Sequence, residues 1–243
     1  MSERRAGAGA AFFDVDETLI TVKSMFAFLR HWLAENGDDG GEYARITDEI
    51  KERAAAGTPR EEINRHYYRV YRGVEYAALA ESGKRWFGAF AADGAPFYLD
   101  TLEALRAHHD SGVRTVLLSG SFAPAIAPVA DAVGADHIIA TEPVLDEHGV
   151  LTGEVHRPMI GEAKGEAVVA YLREHGISPD DTWGYGDHST DLPFLWIVAH
   201  PFHRGDDPHL LAAATAAWRR LGDRVGDANG TEIADDRKVV SAW

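Results

Sequence analysis

The sequence predicts an α/β fold in which a doubly wound parallel sheet carries an inserted all-helical cap. A short run over residues 10–15, apolar except for Asp14, has the length and composition of a buried strand. Strand and helix patterns alternate again from residue 98, which favours parallel strands joined by right-handed crossovers. The residues between show helix patterns only, so we predict a Rossmann-like core of residues 1–22 and 91–243 and a helical cap of residues 23–90.

The composition is that of a globular protein, and its charge excludes two classes of partner. The 243 residues include 39 Asp and Glu against 24 Lys and Arg, a net charge of −15. Such a balance repels a phosphate backbone and an anionic membrane surface, so we expect neither a nucleic-acid nor a membrane partner. The absence of cysteine excludes disulfides and thiolate metal sites. An arginine pair precedes the first apolar run, but Asp14 interrupts that run before an export signal forms, and we expect a cytoplasmic protein.

The cap is predicted to contain helices over about residues 23–37, 42–57, 58–73 and 74–90. In the first, Met25, Phe28 and Leu29 share one face, and Gly37 ends the helix. The third begins with a predicted capping box in which Thr58 is the N-cap, followed by Pro59 at the first turn and Glu61.

The remaining elements follow in alternation. They are a helix over 98–112, a strand over 113–120, a helix over 124–134, a strand and a hairpin within 136–156, a helix over 162–176, strands over 181–187 and 195–202, and a helix over 207–222. Residues 227–243 show little helix pattern, and their structure is left open.

Polar residues recur where the predicted strands end. They are Asp14 and Asp16 after the first strand, Ser119 and Gly120 after the second, and Asp187 after a later one, with Lys164 opening the helix before it. Ligands of such sheets bind at the carboxyl ends of the strands. Two adjacent carboxylates at the end of a buried strand repel each other and lose hydration, so their placement there points to a function.

Four motifs in this order resemble those of the haloacid dehalogenase superfamily of phosphohydrolases. They are "DVDET" from Asp14, "VLLSGSF" with Ser119, "GEAKGEAV" with Lys164, and "GDHSTD" with Asp187 and Asp191. The resemblance spans Ala10 to about Leu211. The helical insertion after the first motif, together with "LTGEV" and "DLPFL", is similar to the phosphoserine-phosphatase-like subclass, IB.

The resemblance implies a role for each motif residue. Asp14 would be the nucleophile, and Asp16 would protonate the leaving oxygen and later deprotonate water. Ser119 and the backbone amides around Gly120 would bind the phosphoryl group. Lys164 would balance the negative charge that gathers at the nucleophile.

The resemblance also implies a bound Mg²⁺ ion, which offsets the repulsion between a carboxylate nucleophile and a dianionic phosphate monoester. Asp14 and Asp187 would bind the ion through carboxylates and Asp16 through its backbone carbonyl. Asp191 is predicted to support the metal site from close by.

Two residues of the predicted cap are candidates for substrate binding. Arg65 corresponds, in a loose alignment, to the substrate-binding cap arginine of phosphoserine phosphatases, although a solvated position is the alternative. Lys23 stands nine residues after Asp14, where those enzymes carry a glutamate that contacts the substrate's amino group. A lysine there would repel an ammonium, so we expect phosphoserine to be a poor substrate and the natural substrate to have a neutral or anionic group there, unless Lys23 points to solvent.

The sequence therefore predicts a Mg²⁺-dependent phosphatase that hydrolyses a small phosphorylated metabolite through an aspartyl phosphate. One alternative is a phosphotransferase or mutase that uses the same intermediate. The other is a non-enzymatic phospho-receiver, against which Asp16 argues, because a general acid beside the nucleophile favours turnover. The natural substrate and the oligomeric state are left open.

Overall fold

A computed structural model of the chain describes residues 9–215 and 217–232. The N-terminal arginine pair and residues 233–243 of the tail lie outside the described residues. The strands are β1 (Ala10–Asp14), β2 (Phe97–Tyr98), β3 (Arg114–Ser119), β4 (His137–Ala140), β5 (Pro143–Leu145), β6 (Leu151–Val155), β7 (Thr182–Gly186), β8 (His200–His203), β9 (Arg219–Arg220) and β10 (Val225–Gly226). The helices are α1 (Ser24–Glu35), α2 (Gly41–Ala55), α3 (Arg60–Tyr68), α4 (Tyr76–Ala92), α5 (Leu99–Asp110), α6 (Ala123–Val133), α7 (Glu162–His175), α8 (Leu192–Leu195) and α9 (Pro208–Ala213).

The main sheet has six parallel strands in the order β4-β3-β1-β7-β8-β9. Strand β1 lies between β3 and β7, so the strand order reverses on either side of it, which is where such sheets bind ligands. Its side chains alternate between two apolar layers: Ala11 and Phe13 pack on one face of the sheet and Ala10 and Phe12 on the other. The predicted doubly wound α/β fold is confirmed.

Helices α1 to α4 fill the chain between β1 and β2, as the strand-free pattern of that segment predicts. Their aromatic side chains pack against the core through Phe122, which lies just before α6. The Phe122 ring centroid lies 5.3 Å from those of Tyr68 and Tyr71 and 5.5 Å from that of Phe28. We call α1 to α4 the helical region.

The hairpin of β5 and β6 is bonded to the helical region through main-chain atoms. The N–H of Gly73 donates to the carbonyl of Leu151 at 2.8 Å, and the N–H of Leu151 donates to the carbonyl of Val74 at 2.8 Å. The N–H of Tyr76 donates to the carbonyl of Gly149 at 3.0 Å. The predicted hairpin is thus confirmed, but it contacts the helices as well as the core.

The capping box predicted for α3 is wrong. The helix begins at Arg60, and Pro59 occupies the N-cap position without a side-chain capping bond. The carbonyl of Pro59 accepts the N–H groups of Glu62 and Ile63, both at 3.0 Å. A proline fits this position because its missing N–H removes no intrahelical bond.

Two elements near the C-terminus also differ from prediction. Of the strand predicted over 195–202, Leu195 is the last residue of the short helix α8, residues 196–199 form a turn, and only residues 200–202 are extended, in β8. The helix predicted over 207–222 ends at Ala213. Beyond it, Arg219 and Arg220 pair with Phe202 and His203, so pairing at the sheet edge overrides the local helix propensity.

Candidate active site

A cavity of about 230 Å³ opens at the carboxyl end of β1, between the sheet and the helical region. Its core side is lined by Asp14, Asp16, Glu17, Lys164, Asp187 and Asp191. Its helical side is lined by Met25, Phe26, Ile50, Ala54, Ile63 and Tyr67, and also by the polar residues Lys23, Arg60 and Asn64. We call the six core residues the charged half of the cavity, and the six apolar and aromatic residues of the helical side the apolar half.

Lys164 links two carboxylates in the charged half. It lies in the first turn of α7 and donates to Asp14 and, at 2.7 Å, to Asp191 Oδ1. Burial acts to lower the pKa of Lys164, but the two carboxylates outweigh burial and raise it, so the ammonium stays charged. Burial raises the pKa of Asp14 well above its ordinary value, against the attraction of Lys164. Removing one partner of such a buried pair costs about 3–5 kcal/mol, because it strands the other charge.

Asp191 fixes the turn that follows β7. Its Oδ2 accepts the backbone N–H groups of Asp187 and His188 at 3.2 and 3.3 Å. A Cβ on Gly186 would lie 2.8 Å from the Asp191 side chain, so only glycine allows this close packing. The turn presents Asp187, whose Oδ1 accepts a bond from the Thr18 hydroxyl at 3.0 Å.

Three of the carboxylates form a group whose chemistry fits a divalent cation. One carboxylate oxygen from each of Asp14, Asp187 and Asp191 lies within 4.8 Å of the others. Carboxylate oxygens are the ligands that Mg²⁺ prefers. Burial, followed by the charge of Asp191, raises the pKa of Asp187 to about 7. A bound cation would relieve this crowding of negative charge.

The carboxylate of Asp16 does not belong to this group and is bonded to the helical region instead. Its Oδ1 accepts the backbone N–H of Ser24, the first residue of α1, at 2.9 Å. Burial raises the pKa of Asp16, while hydrogen bonds from Ser24 oppose the shift. The next residue, Glu17, has a φ of 59°, which is uncommon for a residue other than glycine. Asp14 and Asp16 therefore have different partners, Lys164 for the first and the backbone of Ser24 for the second.

Ser119 is the last residue of β3, and Gly120 begins the loop that follows. Ser119 is buried and its Oγ accepts the N–H of Ser121 at 3.0 Å, whereas Gly120 lies on the cavity wall. The carbonyl of Gly120 accepts bonds from Asn64 at 2.9 Å, Tyr68 at 3.2 Å and Thr141 at 2.8 Å. Helix α3 therefore holds this loop in place through two side chains.

The two substrate-binding candidates of the helical region have different positions. Lys23 lines the cavity, and its Nζ lies 3.2 Å from Glu17 Oε2. Arg65 instead donates to the backbone carbonyls of Val155 at 2.8 Å and His156 at 3.4 Å, and it lies outside the cavity lining. The geometry therefore does not support the substrate-binding role predicted for Arg65, because its guanidinium holds the hairpin.

Several cavity residues were not identified from the sequence. Arg60 takes the cavity position expected of Arg65, with its Nη1 3.5 Å from His188 Nδ1. Asn64 and Glu17 also line the wall. An arginine at the start of a helix and an asparagine within it carry no local signal for a site. Glu17 lies within the first motif, and its position there was the available clue.

Among the described residues, no helix is both long and apolar enough to cross a membrane.

Comparison with known families matches residues 11–195 to the haloacid dehalogenase-like hydrolases. The match covers most of the chain and includes the motif positions from Asp14 to Asp191. It agrees with the resemblance read from those motifs.

Two of the relatives found by comparison with individual proteins are more than 30% identical to this chain. The chain is 32% identical over 187 residues to a phosphoserine phosphatase of Halobacterium salinarum, covering 75% of this chain and 79% of the relative. It is 31% identical over 119 residues to the inhibition of morphological differentiation protein of Streptomyces azureus. That match covers 49% of this chain and 43% of the relative, so the chain spans less than half of that protein's length.

A solved structure of a phosphoserine phosphatase with bound substrate has the same fold. It aligns with a TM-score of 0.64 and 18% identity over 88% of this chain and 94% of that chain.

Proposed function

We propose that this chain, which belongs to the haloacid dehalogenase-like hydrolases as a phosphatase of the phosphoserine-phosphatase-like type, hydrolyses a small phosphomonoester. The proposed reaction uses Mg²⁺ and passes through phosphorylated Asp14. The observation that carries the proposal is the arrangement at the end of β1. Asp14 is bonded to Lys164, and Asp16, two residues later, is directed to the start of α1.

Asp14 is the nucleophile of the proposed reaction. Its carboxylate oxygen forms a bond to phosphorus while the bond from phosphorus to the alcohol oxygen breaks. Lys164 is aligned on Asp14 before substrate binds, and it offsets negative charge at the reacting centre without reorganisation.

Asp16 is the general acid and base. Because burial raises its pKa, Asp16 is suited to carry a proton for the departing alkoxide. After the alcohol leaves, the same carboxylate accepts a proton from the water that attacks the aspartyl phosphate. Inorganic phosphate then leaves and the Asp14 carboxylate is restored.

The carboxylates of Asp14 and Asp187 and the backbone carbonyl of Asp16 would hold the metal ion. When bound, Mg²⁺ screens the charge of the phosphoryl oxygens from the nucleophile. Asp191 acts as the positioning residue of this site, since one of its oxygens accepts Lys164 and the other accepts the turn amides.

Gly120 and Ser119 are the proposed phosphoryl-binding residues. Gly120 borders the cavity, and α6 begins three residues later, so we propose that backbone amides from Gly120 to the start of this helix bind the anion. Because Ser119 is buried, its hydroxyl would contact only a phosphoryl group that lies close to Gly120. Residues 23–90 act as the cap in this proposal.

Repeated turnover distinguishes this proposal from its two alternatives. Purified protein with Mg²⁺ and phenyl phosphate is expected to release inorganic phosphate in large molar excess over enzyme. A phospho-receiver would incorporate at most one phosphoryl group per chain. A phosphotransferase would release phosphate slowly until an alcohol acceptor was added, and would then form a new ester. Either of these last two results would overturn the proposed hydrolysis.

A further inference from the structure

The residues of the apolar half of the cavity have no role in the proposed reaction at phosphorus. Met25 and Phe26 on α1, Ile50 on α2 and Ile63 on α3 contribute side chains to one continuous wall. Ile160, just before α7, lines the cavity from the core. Most of these residues are partly exposed, and all of them line the cavity. Apolar side chains facing a ligand space are stabilised when an apolar ligand removes them from water.

The charges around the cavity are distributed unevenly. The acidic residues that line it are Asp14, Asp16, Glu17, Asp187 and Asp191, all of them on the core side. The charged residues contributed from residue 23 to residue 67 are the cations Lys23 and Arg60. Of the two acids that contact residues at the start of the helical region, Asp16 is bonded to the backbone of Ser24, and Glu17 pairs with Lys23 at 3.2 Å. An ammonium placed in the apolar half would therefore lose water without gaining a carboxylate partner.

The two halves meet at Asp16. Its carboxylate is bonded to the N–H of Ser24, and the next two residues along α1 are Met25 and Phe26. An alcohol whose oxygen takes a proton from Asp16 is thus released next to the apolar wall.

These observations, together with the proposed phosphatase function on which this step rests, lead us to infer that the apolar half binds the alcohol portion of the substrate. The substrate class is a phosphate monoester of a short alkyl or aryl alcohol, and esters of amino alcohols and amino acids are disfavoured. The cavity volume of about 230 Å³ is below the usual range of about 300–1,000 Å³ for drug-sized ligands, which suits a small alcohol.

A homologous series of n-alkyl phosphates from methyl to pentyl tests this inference. The pKa of the leaving alcohol is nearly constant along the series, so a change in kcat/KM reports binding of the alkyl chain. Each buried methylene group is expected to raise kcat/KM by about fourfold until the cavity is filled. A flat or falling series would overturn the inference.

A matched pair of esters tests the exclusion of ammonium groups. Propyl phosphate and phosphoethanolamine have the same number of heavy atoms and differ by a terminal methyl against an ammonium. The ammonium makes its alcohol the better leaving group, so chemistry alone favours phosphoethanolamine. A preference for propyl phosphate of about tenfold or more is expected from the desolvation cost, and equal or reversed preference would contradict the inference.

Variants test whether the apolar residues of the cavity cause the dependence of kcat/KM on chain length. Phe26→Ala should reduce the gain per methylene to about twofold or less. Phe90→Ala is the matched control, because Phe90 is also a partly buried phenylalanine of the helical region but stacks on Trp86 outside the cavity. Phe90→Ala should show the same gain in kcat/KM per methylene group as the wild type. Equal slopes in the two variants would overturn the assignment of the wall.

The outcome also separates this inference from the proposed function. Loss of phosphate release from every ester, with no labelling of Asp14, would refute the phosphatase mechanism. Release from all esters without dependence on chain length would leave that mechanism standing and refute the apolar subsite alone.

Discussion

The two halves of the cavity are held in place by different forces. In the charged half, every catalytic candidate has a defined polar partner: Lys164 bonds to two carboxylates, and Asp191 bonds to Lys164 and to two backbone amides. In the apolar half, the Tyr67 hydroxyl donates to the carbonyl of Met25 at 2.6 Å, but the side chains of Phe26 and Ile63 have no polar atoms and are placed by packing. Hydrogen bonds have strict geometry, whereas packing tolerates exchange of one apolar side chain for another of similar volume. The positions of the catalytic groups are therefore fixed by directional bonds. The apolar side chains proposed to contact the alcohol can be exchanged for others of similar volume.

The sharpest test of this contrast is substitution of the paired aspartates. Asp14→Asn should remove turnover by a factor on the order of 10⁴ or more while the protein stays folded, because an amide cannot form the acyl phosphate. Asp16→Asn should lose about 10² to 10⁴ for each of its acid and base roles. Initial rates of phosphate release and circular dichroism measure the two properties. Substantial activity in folded Asp14→Asn would refute the mechanism.

The metal site provides the next largest effect. A chelator should abolish activity, and added Mg²⁺ should restore it. Asp187→Ala should raise the Mg²⁺ concentration for half-maximal activity by at least about 10- to 100-fold. Asp181→Ala is the control, since Asp181 is exposed in the turn before β7. The same Mg²⁺ dependence in both variants would contradict the site.

Lys23 lies at the boundary between the halves and should have a smaller effect. Two unit charges 4 Å apart interact by ~4 kcal/mol at an effective dielectric constant near 20, but Lys23 keeps 28% of its side chain exposed and pairs with Glu17. Lys23→Glu is expected to raise kcat/KM for phosphoserine by roughly tenfold over a poor wild-type value. Efficient hydrolysis of phosphoserine by the wild type, unchanged by the substitution, would show that Lys23 does not set specificity.

The smallest effects should distinguish two arginines of α3. Arg65→Ala removes bonds to the hairpin carbonyls and should lower the free energy of unfolding by about 1 kcal/mol without changing KM. Arg60→Ala should raise KM for an alkyl phosphate about twofold to fivefold, a modest loss for an exposed cation, and leave stability unchanged. A reversal of these effects would restore Arg65 as the substrate-binding residue.

The charged half was predictable because strand ends are marked in the sequence. A buried apolar run that stops at Asp14, and a second that stops before Asp187, locate both carboxylates at one edge of a parallel sheet. Helical periodicity instead predicts which face of α3 is apolar but not which of its residues meets the sheet edge. That choice depends on the docking angle of the helix, and it places Arg60 on the cavity and Arg65 on the hairpin. Short elements such as α8 and β9 are decided by tertiary pairing and were missed for the same reason.

The hairpin of β5 and β6 limits how the helical region can rotate. A rigid body joined to a frame at two points keeps one rotation, about the line through those points, and the chain enters the helical region before Ser24 and leaves it after Ala92. The bonds of Gly73, Tyr76 and Leu151 add a third attachment, through the hairpin. Rotation of the helices alone would break these bonds, whereas rotation of helices and hairpin together would keep them. A rotation of the helical region that keeps these bonds would therefore have to carry the hairpin with it and release the bonds of Asn64 and Tyr68 to Gly120.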